Sequence, residues 1–135
     1  MNWDLAEFLR TKPKIALVGA TNDSRKYGNK IFLDLTRKGF EVIPINPKAK
    51  TVEGVTAYPD LASIPEKQRP QLVVYVVPPK ITLQSIQQAL QLGFTKFWIQ
   101  PGAGDETVRD ALEQATKENS EVRYLMDACV MVESA

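Results

Sequence analysis

Histidine is absent from the 135 residues of this chain, and a single cysteine, Cys129, is present. The absence of histidine excludes every mechanism that uses an imidazole base, a phosphohistidine or a histidine metal ligand. A single cysteine has no partner for an internal disulfide, which favours a reducing compartment. A zinc site would therefore need carboxylates alone, and since no cluster of them stands out we expect no metal.

The sequence also lacks a strong net charge and a long apolar run. The net charge of +1 gives no support to a nucleic-acid partner or to an anionic membrane surface. The longest apolar run, Leu72 to Pro79, is far shorter than the ~20 residues that span a bilayer. The first residues, Met1-Asn2-Trp3-Asp4, have neither the basic start nor the apolar run of a signal peptide. We therefore expect a cytoplasmic protein with one domain over residues 1–135.

Short apolar runs alternate with helical patterns along the chain. Continuous apolar runs of strand length occupy residues 15–18, 42–45, 72–77, 97–99 and 122–126. Runs without strict alternation are typical of strands that are covered on both faces, as in parallel sheets. Helical spacing appears before Gly39, before Gly93 and after Asp105, and an N-terminal helix would turn Leu5, Phe8 and Leu9 inward. The proline-containing segment 58–70 allows only a short helical turn.

This order of elements predicts the fold class. Five strands that alternate with helices indicate an α/β domain with a Rossmann-like, doubly wound parallel five-stranded sheet in three layers. We expect the strand order 3-2-1-4-5. In such a sheet, ligands bind beyond the carboxyl ends of the strands, so the loops after strands 1 to 4 are the candidate site.

The loop after strand 1 suits a phosphate. Gly19 lets the chain turn tightly, and Gly28 lets a backbone segment or a ligand approach the N-terminus of the next helix. The glycines are too far apart for the G-x-G-x-x-G fingerprint of dinucleotide-binding domains. Hydroxyl and cationic donors for phosphate oxygens lie between them, at Thr21, Ser24, Arg25 and Lys26. An ordinary connecting loop with the same residue types is the alternative.

The loop after strand 2 lacks the acid of an NAD-binding domain. It reads Asn46-Pro47-Lys48, followed by a second lysine at position 50. An NAD-binding domain normally has Asp or Glu near this point to accept the ribose hydroxyls. Cations favour a phosphorylated ribose instead, either the 3′-phosphate of coenzyme A or the 2′-phosphate of NADP. Two solvated lysines in a turn remain the alternative.

The loops after strands 3 and 4 complete the predicted crevice. Val77, Pro78 and Pro79 form a rigid apolar lip that suits an adenine ring, although such prolines also serve simply to end a strand. The next loop, from Gln100 to Gly104, has glycines that expose backbone N–H groups before a helix. Its predicted site residues are Gln100, Gly102 and Ala103.

The motifs in these loops carry a family resemblance that spans nearly the whole chain. They resemble the stand-alone bacterial CoA-binding domain proteins, which are similar to the N-terminal CoA-binding domain of the succinyl-CoA synthetase α-subunit. The motifs are Gly19-Ala20-Thr21, Lys26-Tyr27-Gly28-Asn29, Asn46-Pro47, Val77-Pro78-Pro79, Gln100-Pro101-Gly102-Ala103 and the closing segment 129–133.

The resemblance implies that coenzyme A is held across the loops. Gly19, Ala20, Thr21 and Ser24 would contact the phosphates, with Lys26 nearby, and Lys48 would be the basic residue after strand 2. Val77 and Pro78 would border the adenine or the pantetheine, and residues 100–103 would lie near the pantetheine arm. The synthetases carry a glutamate in that last loop, where this chain has Gln100 or Pro101.

The resulting hypothesis is a non-catalytic module whose small-molecule ligand is CoA or acyl-CoA. The hypothesis also allows a protein partner, whose identity the sequence does not give. The synthetases use a second domain with a phosphorylated histidine, so we expect no ligase activity from a chain of this size without histidine. The alternatives are an NADP-dependent reductase, with Tyr27 or Tyr75 as proton donor, and a regulatory subunit with a vestigial crevice. Cys129 is expected to be an inert small residue, with a mixed disulfide to the CoA thiol as the alternative.

Overall fold

The computed structural model describes residues 4–135, so most of the short N-terminal stretch considered for a signal peptide lies outside the described residues. Within them the elements run in the following order: α1 (Leu5–Arg10), β1 (Ile15–Val18), α2 (Tyr27–Arg37), β2 (Val42–Ile45), β3 (Thr51–Val52), β4 (Val55–Thr56), β5 (Leu72–Tyr75), α3 (Pro79–Gln91), β6 (Lys96–Ile99), α4 (Glu106–Glu118), β7 (Arg123–Met126) and α5 (Val130–Glu133).

The main sheet has five parallel strands in the order β2-β1-β5-β6-β7. Its strands coincide closely with the five apolar runs, and the predicted fold class of a Rossmann-like, doubly wound α/β domain is confirmed. The central strand β5 lies between β1 and β6, with Leu72 opposite Ile15 and Val73 opposite Phe97.

The predicted strand order 3-2-1-4-5 is wrong, because β5, the third strand of the main sheet along the chain, pairs with β1 and not with β2. Pro44 in the middle of β2 supplies the physical reason. A proline has no N–H for a ladder and is confined to edge strands, so β2 cannot receive a further full strand on its outer side. That side is covered only locally, where the Tyr58 N–H donates to the Pro44 carbonyl at 3.1 Å.

Successive side chains of each strand point to opposite faces of the sheet, and helices cover both faces. On one face Leu17, Val74 and Trp98 pack in the layer that includes residues of α1, α2 and α5. On the other face Val73 and Phe97 pack with residues of α3 and α4. This double coverage explains why the strands appear in the sequence as continuous apolar runs.

The connection from β2 to β5 contains no long helix. It consists of the β3–β4 hairpin and of two single 3-10 turns, Leu61–Ser63 and Glu66–Gln68. The short helical turn predicted within residues 58–70 is therefore confirmed. The Asp60 carboxylate caps the first of these turns by accepting from the Ser63 N–H at 2.9 Å.

The observed strand order moves the point at which the winding reverses. From β1 the chain passes through α2 to β2 on one side, and then returns across to β5 on the other side of β1. The loops after β1 and β5 therefore diverge to opposite faces and leave a crevice between them. Across residues 4–135, no helix has the length and apolar character needed to cross a membrane.

Candidate cofactor-binding site

A cleft of about 1050 Å³ lies at the carboxyl ends of β1, β2, β5 and β6. Its volume is at the upper end of the range for small-molecule and cofactor sites. Fourteen of the sixteen predicted site residues line it: Gly19, Ala20, Thr21, Arg25, Lys26, Gly28, Asn46, Pro47, Lys48, Val77, Pro78, Pro79, Gly102 and Ala103.

Two glycines bring the loop after β1 against its neighbours. Gly19 has φ +107°, and a Cβ there would lie 2.8 Å from a methyl carbon of both Val76 and Val77. A Cβ on Gly28, in the first turn of α2, would lie 2.0 Å from the Gly19 carbonyl oxygen. Only glycine at both positions lets the start of α2 lie directly against the end of β1.

The N-terminus of α2 supplies unpaired donors at the cleft. No side chain caps this helix. Among the described residues, no hydrogen-bond acceptor is found for the N–H groups of Thr21, Tyr27 and Gly28, three residues that line the cleft. Unpaired N–H groups at a helix N-terminus, together with the helix dipole, form an anion-binding arrangement.

The carbonyl groups of the same loop are held by asparagine amides. The Asn46 Nδ2 donates to the Ala20 carbonyl at 2.9 Å, and the Asn29 Nδ2 donates to the Thr21 carbonyl at 3.0 Å. The Asn46 Oδ1 also accepts from the N–H of Lys48 at 2.8 Å and of Ala49 at 2.9 Å. Asn46 thus holds the two loops together, and one hydrogen of its Nδ2 is not used in these contacts.

Three cations and one carboxylate line the cleft, namely Arg25, Lys26, Lys48 and Asp60. Within residues 4–135 neither lysine has an ion-pair partner. The Arg25 guanidinium instead binds the Asp23 carboxylate through two contacts of 3.0 Å. The hydrogen bond from Arg25 lowers the pKa of Asp23 to about 2, so the pair is charged at neutral pH. The contact with Asp23 uses two of the five N–H donors of the guanidinium, and the others stay available to a phosphate.

The wall formed by α3 and the Asp60 turn was not predicted from the sequence. Helix α3 adds Ile81, Gln84, Ser85 and Gln88 to the cleft, and the preceding connection adds Pro59, Asp60 and Leu61. The α3 residues follow the i, i+3, i+4, i+7 spacing of one helix face, which is a signal in the sequence. The sequence predicts a short helical turn within residues 58–70, but it does not show that residues 59–61 reach the cleft, because their place depends on how the β2–β5 connection folds back.

Other residues that line the cleft come from strand ends and loops already implicated. They are Val18, Tyr27, Ile45, Val76 and Pro101. Tyr27 is an aromatic side chain that is 65% exposed although it stands beside the cleft. An exposed aromatic ring at this place offers a surface on which a planar ligand group can stack.

Two predicted site residues, Ser24 and Gln100, are placed outside the cleft lining. Ser24 is exposed on the loop. Gln100 is only 4% exposed, and its amide contacts the start of α5. The Gln100 Oε1 accepts from the Val130 N–H at 2.7 Å, and the Nε2 approaches the Cys129 Sγ at 3.5 Å. Gln100 thus connects the β6 loop to α5.

The tyrosines considered as proton donors differ in environment. Tyr75 is fully buried, and burial raises the pKa of its hydroxyl above the ordinary value. The Ser85 hydroxyl donates to the Tyr75 oxygen at 3.1 Å. Ser85 lines the cleft and Tyr75 does not, so the Tyr75 hydroxyl is connected to the cleft only through this hydrogen bond.

Among the described residues no group of three or more potential metal ligands lies together.

The parallel sheet and the cleft at its reversal point define an α/β domain of the Rossmann type. The model of the family described as "CoA binding domain" matches residues 13–135, and the chain belongs to this family.

Similar proteins include both larger enzymes and single domains. Over 80 residues the chain is 35% identical to the α-subunit of an ADP-forming acetate–CoA ligase II from Pyrococcus furiosus; this covers 58% of the chain but 17% of that subunit. It is 26% identical to the Bacillus subtilis protein YneT, over 98% of this chain and 93% of YneT. A solved structure of a conserved hypothetical protein from Pyrococcus furiosus is 45% identical, with a TM-score of 0.81, and covers 89% of this chain and 97% of the other. The chain thus spans about a sixth of the ligase subunit.

We expect the substitution Gly28→Ala to destabilise the fold, because its Cβ would meet the Gly19 carbonyl. In an ordinary helix this change is stabilising by about 1 kcal/mol. Here the overlap should reverse the sign and lower the free energy of unfolding by about 3 kcal/mol, measured by urea denaturation. Arg37→Ala, at an exposed position of the same helix, is the control and should change it by less than about 0.5 kcal/mol. Equal stability of Gly28→Ala and wild type would contradict the close contact.

Proposed function

We propose that this chain is a binding module for coenzyme A or an acyl-CoA, with the cofactor held across the carboxyl ends of β1, β2, β5 and β6. The observation that carries the proposal is the set of unpaired N–H groups of Thr21, Tyr27 and Gly28 at the cleft. Membership of the CoA binding domain family supports the choice of ligand.

The diphosphate would lie on the loop between β1 and α2. Its oxygens are strong acceptors, and the N–H groups of Tyr27 and Gly28 at the start of α2 are donors without a protein acceptor within the described residues. Since the carbonyls of Ala20 and Thr21 are engaged by asparagine amides, they do not oppose the negative charge. Lys26 adds an ammonium group beside these donors.

The 3′-phosphate would be bound by Lys48. This lysine lies in the turn after β2, in the cleft lining, and has an exposed side chain. Its backbone N–H is fixed by Asn46, so the turn holds the start of the side chain in place. An ammonium group at this position discriminates a phosphorylated ribose from the free hydroxyls of NAD.

The adenine ring and the pantetheine arm need an apolar surface with few polar contacts. Val77, Pro78 and Ile81 provide such a surface at the start of α3, and Leu61 lies on the facing turn. Gly102 and Ala103 after β6 extend the cleft at its other end. The cleft therefore extends from the β2 loop to the β6 loop, which suits a long ligand that crosses the reversal point of the sheet.

We further propose that the isolated chain has no catalytic role and serves a partner or a regulatory function. The side chains at the cleft include no histidine, and of the two tyrosines considered as proton donors Tyr75 is buried, while Tyr27 stands exposed to solvent at the cleft. The relation to a named subunit of a CoA ligase supports a role in which the bound cofactor is presented to another protein or domain. An NADP-dependent reductase remains the alternative that the Lys48 ammonium also suits.

We expect coenzyme A to bind with micromolar or tighter affinity, because its phosphates match the unpaired N–H groups and the lysines of the cleft. Isothermal titration calorimetry with CoA, NAD and NADP at equal salt concentration measures this directly. Tighter binding of NAD would contradict the proposal, and tighter binding of NADP would favour the reductase. No binding of any of the three would favour a subunit whose crevice is vestigial.

We expect Lys48→Ala to weaken CoA by about tenfold while leaving dephospho-CoA nearly unchanged, since a charge-assisted contact to the 3′-phosphate is lost. Lys50→Ala is the matched control, because that lysine lies in the same turn but outside the cleft lining. The measurement is the ratio of the two dissociation constants for each variant. An equal loss for both ligands would show that Lys48 does not bind the 3′-phosphate.

A further inference from the structure

The turn of the β3–β4 hairpin contains an unfavourable backbone conformation. Glu53 has φ +49° and Gly54 has φ +80°. A two-residue hairpin turn with both φ values positive is of type I′, in which Asn or Asp is preferred before glycine. A glutamate in this region carries a conformational cost, and such costs persist where the side chain has a task.

The Glu53 side chain contacts the helix at the cleft. Its Oε1 accepts from the Asn29 Nδ2 at 2.8 Å. Asn29 is only 2% exposed and lies in the first turn of α2. The same nitrogen donates its second hydrogen to the Thr21 carbonyl at 3.0 Å. Glu53 and Thr21 together therefore use both hydrogens of this buried amide.

A second side chain joins the hairpin to the same loop. The Asn22 Nδ2 donates to the Thr51 carbonyl at 2.9 Å, and the Glu53 N–H donates to the Asn22 Oδ1 at 2.8 Å. The hairpin is thus docked on the loop between β1 and α2 by Asn22 and by the Glu53–Asn29 bond. Glu53 itself lies outside the lining of the cleft.

The charge of Glu53 opposes the ligand that we propose. A carboxylate near an anion-binding loop repels the anion, so its field alone weakens binding. The chain nevertheless carries this carboxylate, and at a strained backbone position. The hydrogen bond from Asn29 to Glu53 explains both why a carboxylate is present near the loop and why the strain at residue 53 is retained.

We propose that Glu53 is a positioning residue for the diphosphate of the bound ligand, an inference that rests on the proposed function. Glu53 holds the Asn29 amide, and Asn29 holds the Thr21 carbonyl. With that carbonyl held, the Thr21 N–H and the start of α2 present donors and no acceptor to the phosphate. Without Glu53, one hydrogen of a buried amide lacks an acceptor, so the amide turns and releases the Thr21 carbonyl.

Two substitutions separate this role from charge and from folding. Glu53→Gln keeps the length and an acceptor oxygen while it removes the charge. Glu53→Asn is the preferred residue for the turn, but its side chain is one methylene shorter and does not reach Asn29. If only the field of the carboxylate mattered, both variants would bind CoA more tightly than wild type.

We expect the Kd of Glu53→Gln for CoA to stay within about twofold of wild type, and that of Glu53→Asn to rise about five- to tenfold. The melting temperature of Glu53→Asn should stay close to that of wild type, because the improved turn offsets the lost hydrogen bond to Asn29. In ³¹P NMR spectra of the bound ligand, the diphosphate resonances should shift in the Asn variant, while the 3′-phosphate resonance stays in place.

Other results of these measurements would contradict either the role of Glu53 or the proposed function. Wild-type affinity or tighter binding in Glu53→Asn, or equal weakening in both variants, would overturn the role of Glu53. A melting temperature that falls together with the affinity would make Glu53 merely structural and would overturn it too. Absence of CoA binding by the wild-type protein would instead refute the proposed function, and the positioning role with it.

Discussion

The close approach of α2 to the end of β1 is the contact on which the candidate site depends. A side chain on Gly28 would overlap the Gly19 carbonyl at 2.0 Å, and a side chain on Gly19 would overlap Val76 and Val77 at 2.8 Å. The two glycines thus allow three segments to lie in direct contact, namely the start of α2, the end of β1 and the residues that follow β5. Any larger residue would separate them, and the helix N-terminus would no longer open at the reversal point of the sheet.

This packing has an electrostatic consequence for the loop. A tight connection brings both carbonyl and N–H groups to the surface of the cleft, and only the N–H groups favour a phosphate. The amides of Asn29 and Asn46 donate to the carbonyls of Thr21 and Ala20. Asn29 in turn donates a hydrogen bond to Glu53, which lies in the turn of the β3–β4 hairpin. A hairpin outside the cleft is in this way part of the support of the anion site.

Much of the fold could be predicted from the sequence, because burial on both faces of a parallel sheet leaves a continuous apolar run for each strand. The strand order was missed although Pro44 marks β2 as an edge strand, a signal that was present in the sequence. Most of the predicted site residues line the cleft, since loops at the carboxyl ends of parallel strands converge whatever the strand order. Their contacts with a ligand remain predictions.

Most of the features of the site that could not be predicted depend on contacts between residues that are far apart in the sequence or on how a connection folds back. Gln100 occupies a loop that lines the cleft, but its amide contacts α5, and the sequence does not show which neighbour a buried amide will find. The turn at residues 59–61 lines the cleft, and it belongs to a β2–β5 connection that has no long helix. The binding of phosphate by Arg25 stays a prediction, and the ion pair that its guanidinium forms with Asp23 was not predicted from the sequence.

The central claim is that coenzyme A places its diphosphate on the N–H groups at the start of α2. Titration of ¹⁵N-labelled protein with CoA, followed in ¹H–¹⁵N correlation spectra, tests it at those atoms. The account predicts that the amide signals of Thr21, Tyr27 and Gly28 move downfield, as expected for new hydrogen bonds to phosphate, and that they change much less with pantetheine alone. Unchanged signals at these three residues with CoA at saturation, and changes centred on another surface, would contradict it.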